Sequence, residues 1–262
     1  MAEFIRYTIE DKVAVLVIDH PPVNALNEQA LAELGTAIDE LNANPEVKAI
    51  VITGGGQLAF VAGADIGLFG RIIKEQDVAA GKAFLELGQH TFNKIEASSK
   101  PVIAAINGVC LGGGLELAMA CHMRVCGDRA RLGQPEINLG IIPGWGGTQR
   151  LQRIVGPAKA TEMILTGEQI TAQQAMQLRL VNMVVPGGEV MRQAKGLAAK
   201  IANKSAVGTT AALASIRAGL DACLPEGLAT EREQLTKVVA SDDAREGIMA
   251  FLEKRQAKFQ DR

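Results

Sequence analysis

Fifteen consecutive uncharged residues, Pro101–Leu115, end in three glycines and a leucine and run directly into Glu116. This stretch restricts the fold more than any other. It is short of the roughly 20 apolar residues that a helix needs to cross a bilayer, and Asn107 and four glycines interrupt it. It reads as a buried strand over Val102–Ile106, a turn, and a buried helix over Gly113–Cys121. Glu116 then lies among Leu115, Leu117, Ala118 and Met119. A carboxylate on so apolar a helix is costly unless it is exposed or used.

Strands and helices alternate on either side of this segment. Phe4–Ile9 and Val13–Asp19 are β-rich and separated by Glu10–Asp11–Lys12, a hairpin signal. Leu31, Leu34, Ile38 and Leu41 recur at helical spacing within Glu28–Leu41. Ala49–Thr53 and Met123–Cys126 read as further strands, and Leu68–Ile95 as a long helical region made irregular by Gly70, Gly81 and Gly88. After Gly140 helices prevail, with one last strand at Val181–Val185 and a final helix expected over Ala244–Phe259. This order predicts an α/β protein with a helical C-terminal part: a core over residues 1–188 that holds the site, and a helical region over 189–262. At 262 residues the chain suffices for one large domain, or one with a small appendage.

The start of the Gly113 helix offers unsatisfied N–H donors and a partial positive charge, which suits a developing oxyanion. A phosphate-binding Walker loop would need Gly-Lys-Ser/Thr where Leu115–Glu116 stands, the dinucleotide spacing of glycines is absent, and a nucleophile elbow would need a serine. A glutamate that merely complements the helix dipole is the competing reading of Glu116. Two other segments have similar character. Phe60–Ile66 has small residues on both sides of Gly63, and reads either as a tight turn after a strand or as a close backbone approach to a ligand. Glu136 follows Pro135 and precedes the glycine-rich run Gly144–Gly147; alone, it reads as a surface or capping residue. The glutamates are 20 residues apart. A helix rising roughly 12 Å and a strand returning roughly 15 Å permit them to meet without requiring it.

Taken together, FVAGADI at 60–66, KPVIAAINGVCLGGGLELAMAC at 100–121 and GQPEINLGIIPGWGGTQRL at 133–151 resemble the crotonase (enoyl-CoA hydratase/isomerase) family. DDAREGIMAFLEKR at 242–255 resembles the family's end helix. Each string is weak alone, but their order and spacing are specific. The resemblance implies a fold of stacked ββα units with a helical C-terminal part, assembled as a homotrimer or homohexamer. It implies an acyl-CoA thioester substrate, no metal, and no cofactor beyond the coenzyme A of that substrate. It places the two oxyanion donors at Ala64 and Gly113 and the hydratase glutamates at Glu116 and Glu136. Val23, Ala25, Ala62, Asp65, Ile66, Gly67 and Gly144 would then line the path of the substrate. Where the family often has lysine after Ala-Asp-Ile, this chain has Gly67. Lys254, Arg255 and Lys258 are candidates to meet the coenzyme A phosphates instead, with a solvated helix end as the competing reading. Both glutamates favour hydration over double-bond isomerisation, which needs one base.

Composition supports the remaining expectations. A net charge of −2 without a basic stripe, and 3% aromatics, argue against nucleic-acid binding. Four cysteines without a C-x-x-C pair or a histidine cluster speak against zinc and redox chemistry and for reduced, packed thiols. The charged N-terminal residues hold no apolar signal segment, so a cytoplasmic protein without membrane contact is expected.

Overall fold

A computed structural model describes residues 2–262. The chain opens with a hairpin, β1 (Ile5–Glu10) and β2 (Val13–Ile18), followed by α1 (Glu28–Ala43). The Asn27 side chain caps α1 by accepting from the Ala30 N–H at 2.8 Å. Leu31, Leu34, Ile38 and Leu41 are all fully buried, as their spacing requires; each contributes about 1.5–3 kcal/mol relative to exposure.

Further units then repeat one plan, two strands followed by helix. The first contains β3 (Ala49–Gly54), β4 (Ala59–Val61), α2 (Ile66–Glu75) and α3 (Val78–Glu96). The second contains β5 (Val102–Ile106), β6 (Val109–Leu111) and α4 (Gly113–Ala120). The third contains β7 (Met123–Gly127), β8 (Arg131–Gly133), a 3-10 turn over Pro135–Leu139, and α5 (Gly147–Val155). Next come α6 (Pro157–Thr166), β9 (Ile170–Thr171), α7 (Ala172–Gln177) and β10 (Met183–Val185). The chain finishes with α8 (Val190–Ala202), α9 (Ala206–Asp221), α10 (Leu224–Val239) and α11 (Asp242–Leu252).

The first strand of each unit enters a large sheet ordered β1-β2-β3-β5-β7-β10, parallel from β2 onward. The second strand enters a smaller sheet ordered β4-β6-β8-β9. This is the stacked ββα architecture. The central strands of the large sheet are buried on both faces. Ile50, Ile52, Val102, Ala104 and Ile106 join the main core, while Ala49, Val51, Ile103 and Ala105 point into a second one. That second face is covered by α8, through Val190, Ala194, Ala198 and Ala202. These small residues at every fourth position form one stripe that lets the helix lie close to the sheet.

Three details differ from the expected elements. The helical region over residues 68–95 breaks at Gln76 and Asp77 and not at its glycines. Gln76 adopts φ +54°, and Asp77 caps the new helix by accepting from the Ala80 N–H at 2.9 Å. The strands β4, β6, β8 and β9 of the small sheet have no counterpart among the expected strands. The last helix ends at Leu252, well before Phe259. Lys254 is left-handed, at φ +55°, and the chain beyond turns back. Asp261 there pairs with Lys48 at 2.6 Å, and its N–H donates to the Asp243 carboxylate.

Candidate active site

The small sheet builds the site. β4, β6 and β8 run parallel side by side, so their C-terminal ends meet at one edge. β4 delivers Ala62–Ala64, β6 delivers Gly112–Gly113 and the start of α4, and β8 delivers Gln134–Glu136. Three sequence segments separated by dozens of residues thereby surround one cavity of about 200 Å³. Its lining includes Ala62, Ala64, Ile66, Gly113, Glu116, Glu136 and Gly144 from the expected set. The rest of the wall is largely apolar: Phe69, Leu85, Leu139, Ile141, Ile142 and Trp145.

Two backbone donors lie close together at this edge. A Cβ built on Gly113 would lie 3.5 Å from the Ala64 nitrogen. The Gly113 N–H belongs to the first residue of α4, where no intrahelical acceptor exists. The backbone bonds around Ala64 run from Leu26 N–H to Gly63 and from Asp65 N–H to Leu26, so the Ala64 N–H is not used by them. Gly112 joins β6 to α4 at φ +51°, and a Cβ there would stand 2.7 Å from Glu136 Oε1. Only glycine fits this approach of the backbone to the carboxylate.

Glu116 is buried on the first turn of α4. Its Oε1 accepts from the N–H groups of Trp145 and Gly147, each at 2.7 Å, so it sits at the start of α5. Burial pushes its pKa up to about 7. The nearby Glu136 adds to this, while the Gly147 and Trp145 donors and Arg150 oppose it. Burial raises Glu136 to about 7 as well. With its nitrogen turned toward the acceptors, the Gln134 amide donates to both Glu136 oxygens, at 3.0 and 3.1 Å. Both carboxyls are thereby held near neutrality, where each can take up or release a proton. The donors on Glu116 sit on a braced loop. Arg150, itself buried, donates to the Trp145 carbonyl at 2.9 Å and to Asn93 and Glu96 at 2.7 Å each.

The sequence profile of the enoyl-CoA hydratase/isomerase family matches residues 8–262. The chain belongs to the enoyl-CoA hydratase/isomerase family. It is 42% identical to the crotonyl-CoA hydratase of Syntrophomonas wolfei, with 95% of each chain covered. It is also 42% identical to the short-chain-enoyl-CoA hydratase of Clostridium acetobutylicum, with 94% of each covered. The crystal structure of an enoyl-CoA hydratase from Bacillus anthracis superposes with a TM-score of 0.94 at 34% identity, covering 99% of this chain and 100% of that one.

Within this enoyl-CoA hydratase/isomerase fold, the remaining expected residues lie beside the cavity and do not line it. Val23 accepts from the Ala62 N–H at 3.1 Å, and the Ala25 carbonyl meets His20 Nδ1 at 2.6 Å. Asp65 spends its carboxylate on the start of α2, accepting from the N–H groups of Gly67 and Leu68. Arg255 is committed to Glu246 and Glu253, and the Lys258 N–H also donates to Glu246. The side chains of Lys254, Arg255 and Lys258 are absent from the cavity wall. Among the described residues no group of three or more His, Cys, Asp or Glu side chains could hold a metal ion, and no helix is long and apolar enough to cross a membrane.

The sequence does not single out the N–H donors of Trp145 and Gly147, the Gln134 amide, or the Arg150 brace. Backbone donors carry no letter of their own. The one available signal was the glycine pair Gly146–Gly147 at a helix start, which is where an anion is held.

Proposed function

We propose that the protein is an enoyl-CoA hydratase, which adds water syn across a trans-2-enoyl-CoA to give the 3-hydroxyacyl-CoA, and reverses the reaction. The observation that carries this reading is a buried carboxyl, Glu116, and a half-buried one, Glu136, on the wall of one apolar cavity beside two free backbone donors. The thioester oxygen accepts from the Ala64 and Gly113 N–H groups, which stabilise the enolate-like charge as it develops. Glu116, ionised and oriented by Trp145 and Gly147, takes a proton from water as the water oxygen bonds to Cβ. Glu136, protonated, delivers its proton to Cα. The pair leaves the step with the opposite protonation, and one proton passing from Glu116 to Glu136 restores it. No electrons are exchanged, so coenzyme A enters only as part of the substrate. Ala62 and Ile66 on the wall, with Val23, Ala25, Asp65 and Gly67 behind them and Gly144 opposite, make up the substrate path in this reading.

Double-bond isomerisation is the second reading, because the family includes isomerases. One base shuttling a proton would suffice for it, and the fixed orientation of Glu116 would be without purpose. The test is spectrophotometric. Wild-type protein should remove the enoyl-thioester absorbance of crotonyl-CoA and yield a product heavier by one water. Conversion of a 3-enoyl-CoA with no action on crotonyl-CoA would replace hydratase by isomerase.

We also propose a homotrimer or homohexamer. The C-terminal helices support it by leaving large apolar side chains in the open, among them Leu224 at 74% and Phe251 at 81% exposure, with Ile216, Leu220, Leu235 and Val239. Sedimentation equilibrium should give three or six times the 27.7 kDa chain mass; a monomer would refute the assembly. Four unpaired cysteines, three of them buried, support the cytoplasmic assignment.

A further inference from the structure

Trp145 occupies a position that catalysis by the two glutamates does not require. Its indole is wedged between two helices at positions where only glycine leaves room. A Cβ on Gly88 of α3 would lie 2.2 Å from the indole Nε1, and one on Gly113 of α4 would lie 2.4 Å from Cζ3. Phe84 and Phe92 hold it edge-on, with ring centroids 5.2 and 5.6 Å away. The buried Nε1 has no hydrogen-bond partner. The ring is thus held by shape and not by a polar anchor, and these contacts leave it no room to swing aside.

Two cavities share Trp145 as a lining residue. One is the apolar cavity of about 200 Å³ that holds the carboxyls. The other, of about 460 Å³, is lined by polar groups including Gln89, Asn93, Gln149 and Arg217. Among the described residues Trp145 is the one that lines both. The direction of an acyl chain follows from the site. On the hydratase reading its carbonyl is held at Ala64 and Gly113 and its Cβ beside Glu116, so the carbons beyond Cβ run past Glu116. Glu116 accepts from the Trp145 backbone N–H, and Trp145 lines the cavity beside it.

We propose that Trp145 is the specificity-determining wall of this enzyme: it closes the acyl end of the cavity, separates it from the polar cavity behind, and restricts turnover to short acyl chains. The proposal rests on the hydratase reading for where the acyl group lies. Removing the indole joins the two cavities and lengthens the acyl path.

The test compares kcat/KM for crotonyl-CoA and trans-2-octenoyl-CoA in wild type, Trp145→Phe and Trp145→Ala. Wild type should favour the four-carbon substrate by at least about 10-fold, the scale on which hydrophobic pockets discriminate. Trp145→Ala should raise the octenoyl-to-crotonyl ratio by about 10-fold or more, with Trp145→Phe between the two. Equal use of both substrates by wild type, or an unmoved ratio in both variants, overturns the proposal. Because Trp145 is the only tryptophan in the chain, its emission gives a second readout that needs no turnover and no variant. Butyryl-CoA should shift that emission in wild type, free coenzyme A should not, and octanoyl-CoA should bind about 10-fold more weakly. If octanoyl-CoA binds as tightly as butyryl-CoA, the wall is not where it is placed here. A wild type that hydrates no enoyl-CoA would refute the hydratase reading instead, and the emission titration would still decide the role of Trp145.

Discussion

Glu136→Gln and Glu116→Gln are each expected to hydrate crotonyl-CoA roughly 10²–10⁴-fold more slowly than wild type, the range over which a positioned acid or base contributes. The loss should fall on kcat. Each substitution keeps the volume of the side chain, and the thioester oxygen is held by backbone donors that neither change touches, so KM should move little. The double variant should be hardly slower than the worse single one, because the two carboxyls act on one water and one proton inventory. The chemistry differs between the two sites. Glutamine at 136 has no acidic proton to give to Cα. Glutamine at 116 can still accept from the Trp145 and Gly147 N–H groups through its amide oxygen, so it preserves the loop while losing the base. Following the fall in enoyl-thioester absorbance decides the matter, and a Glu116→Gln variant that hydrates at the wild-type rate would sink the two-carboxylate mechanism. A Glu136→Gln variant at the wild-type rate would require another acid to serve Cα.

The two glutamates stand out in the sequence for different reasons. Glu116 is visible because a charge on an otherwise apolar helix demands a use, and the structure supplies one at the start of α5. Glu136 has no such contrast around it, and only its place in the longer string marked it. What brings the two together is the small sheet, and that sheet was hard to read. Its strands are two or three residues long, too short for an alternating pattern to register, and β4 and β6 are made of apolar residues alone, so that no polar face betrays them. The large sheet was legible for the opposite reason: β3 and β5 are continuous apolar runs bounded by glycine and proline. The end of α11 failed to show because nothing in residues 253–259 breaks a helix by composition. The chain leaves the helix to dock its tail on Lys48 and Asp243, residues more than 200 and about 20 positions away, and a tertiary contact of that kind overrides local preference. Arg150 could pass for an ordinary helix-surface residue, and only its burial against Glu96 and the Trp145 carbonyl shows that it braces the donor loop.

The same burial that tunes the carboxyls should make the protein less stable as pH rises, through Glu116 above all. Its pKa is about 7 when folded, against an ordinary value of 4.5. Below about pH 4.5 the carboxyl is protonated both folded and unfolded, and contributes no difference that depends on pH. Between the two values the folded protein binds the proton and the unfolded chain does not, so stability falls as pH increases. Above about 7 the folded state has to hold an ionised, buried carboxylate, and the full cost is present. A shift of this size corresponds to about 3 kcal/mol at most. Glu116→Gln removes that titration while keeping an acceptor for both N–H groups. Its melting temperature relative to wild type should therefore climb between pH 5 and pH 8, by several degrees at roughly 2–4 °C per kcal/mol for a chain of this size. Paired thermal melts across that range measure it. A difference that stays flat with pH would mean that burial does not raise Glu116, and that its charge is already compensated in the folded site. A rising difference alongside the lost activity would show the exchange common at catalytic centres, where the group that does the chemistry is one the fold would be more stable without.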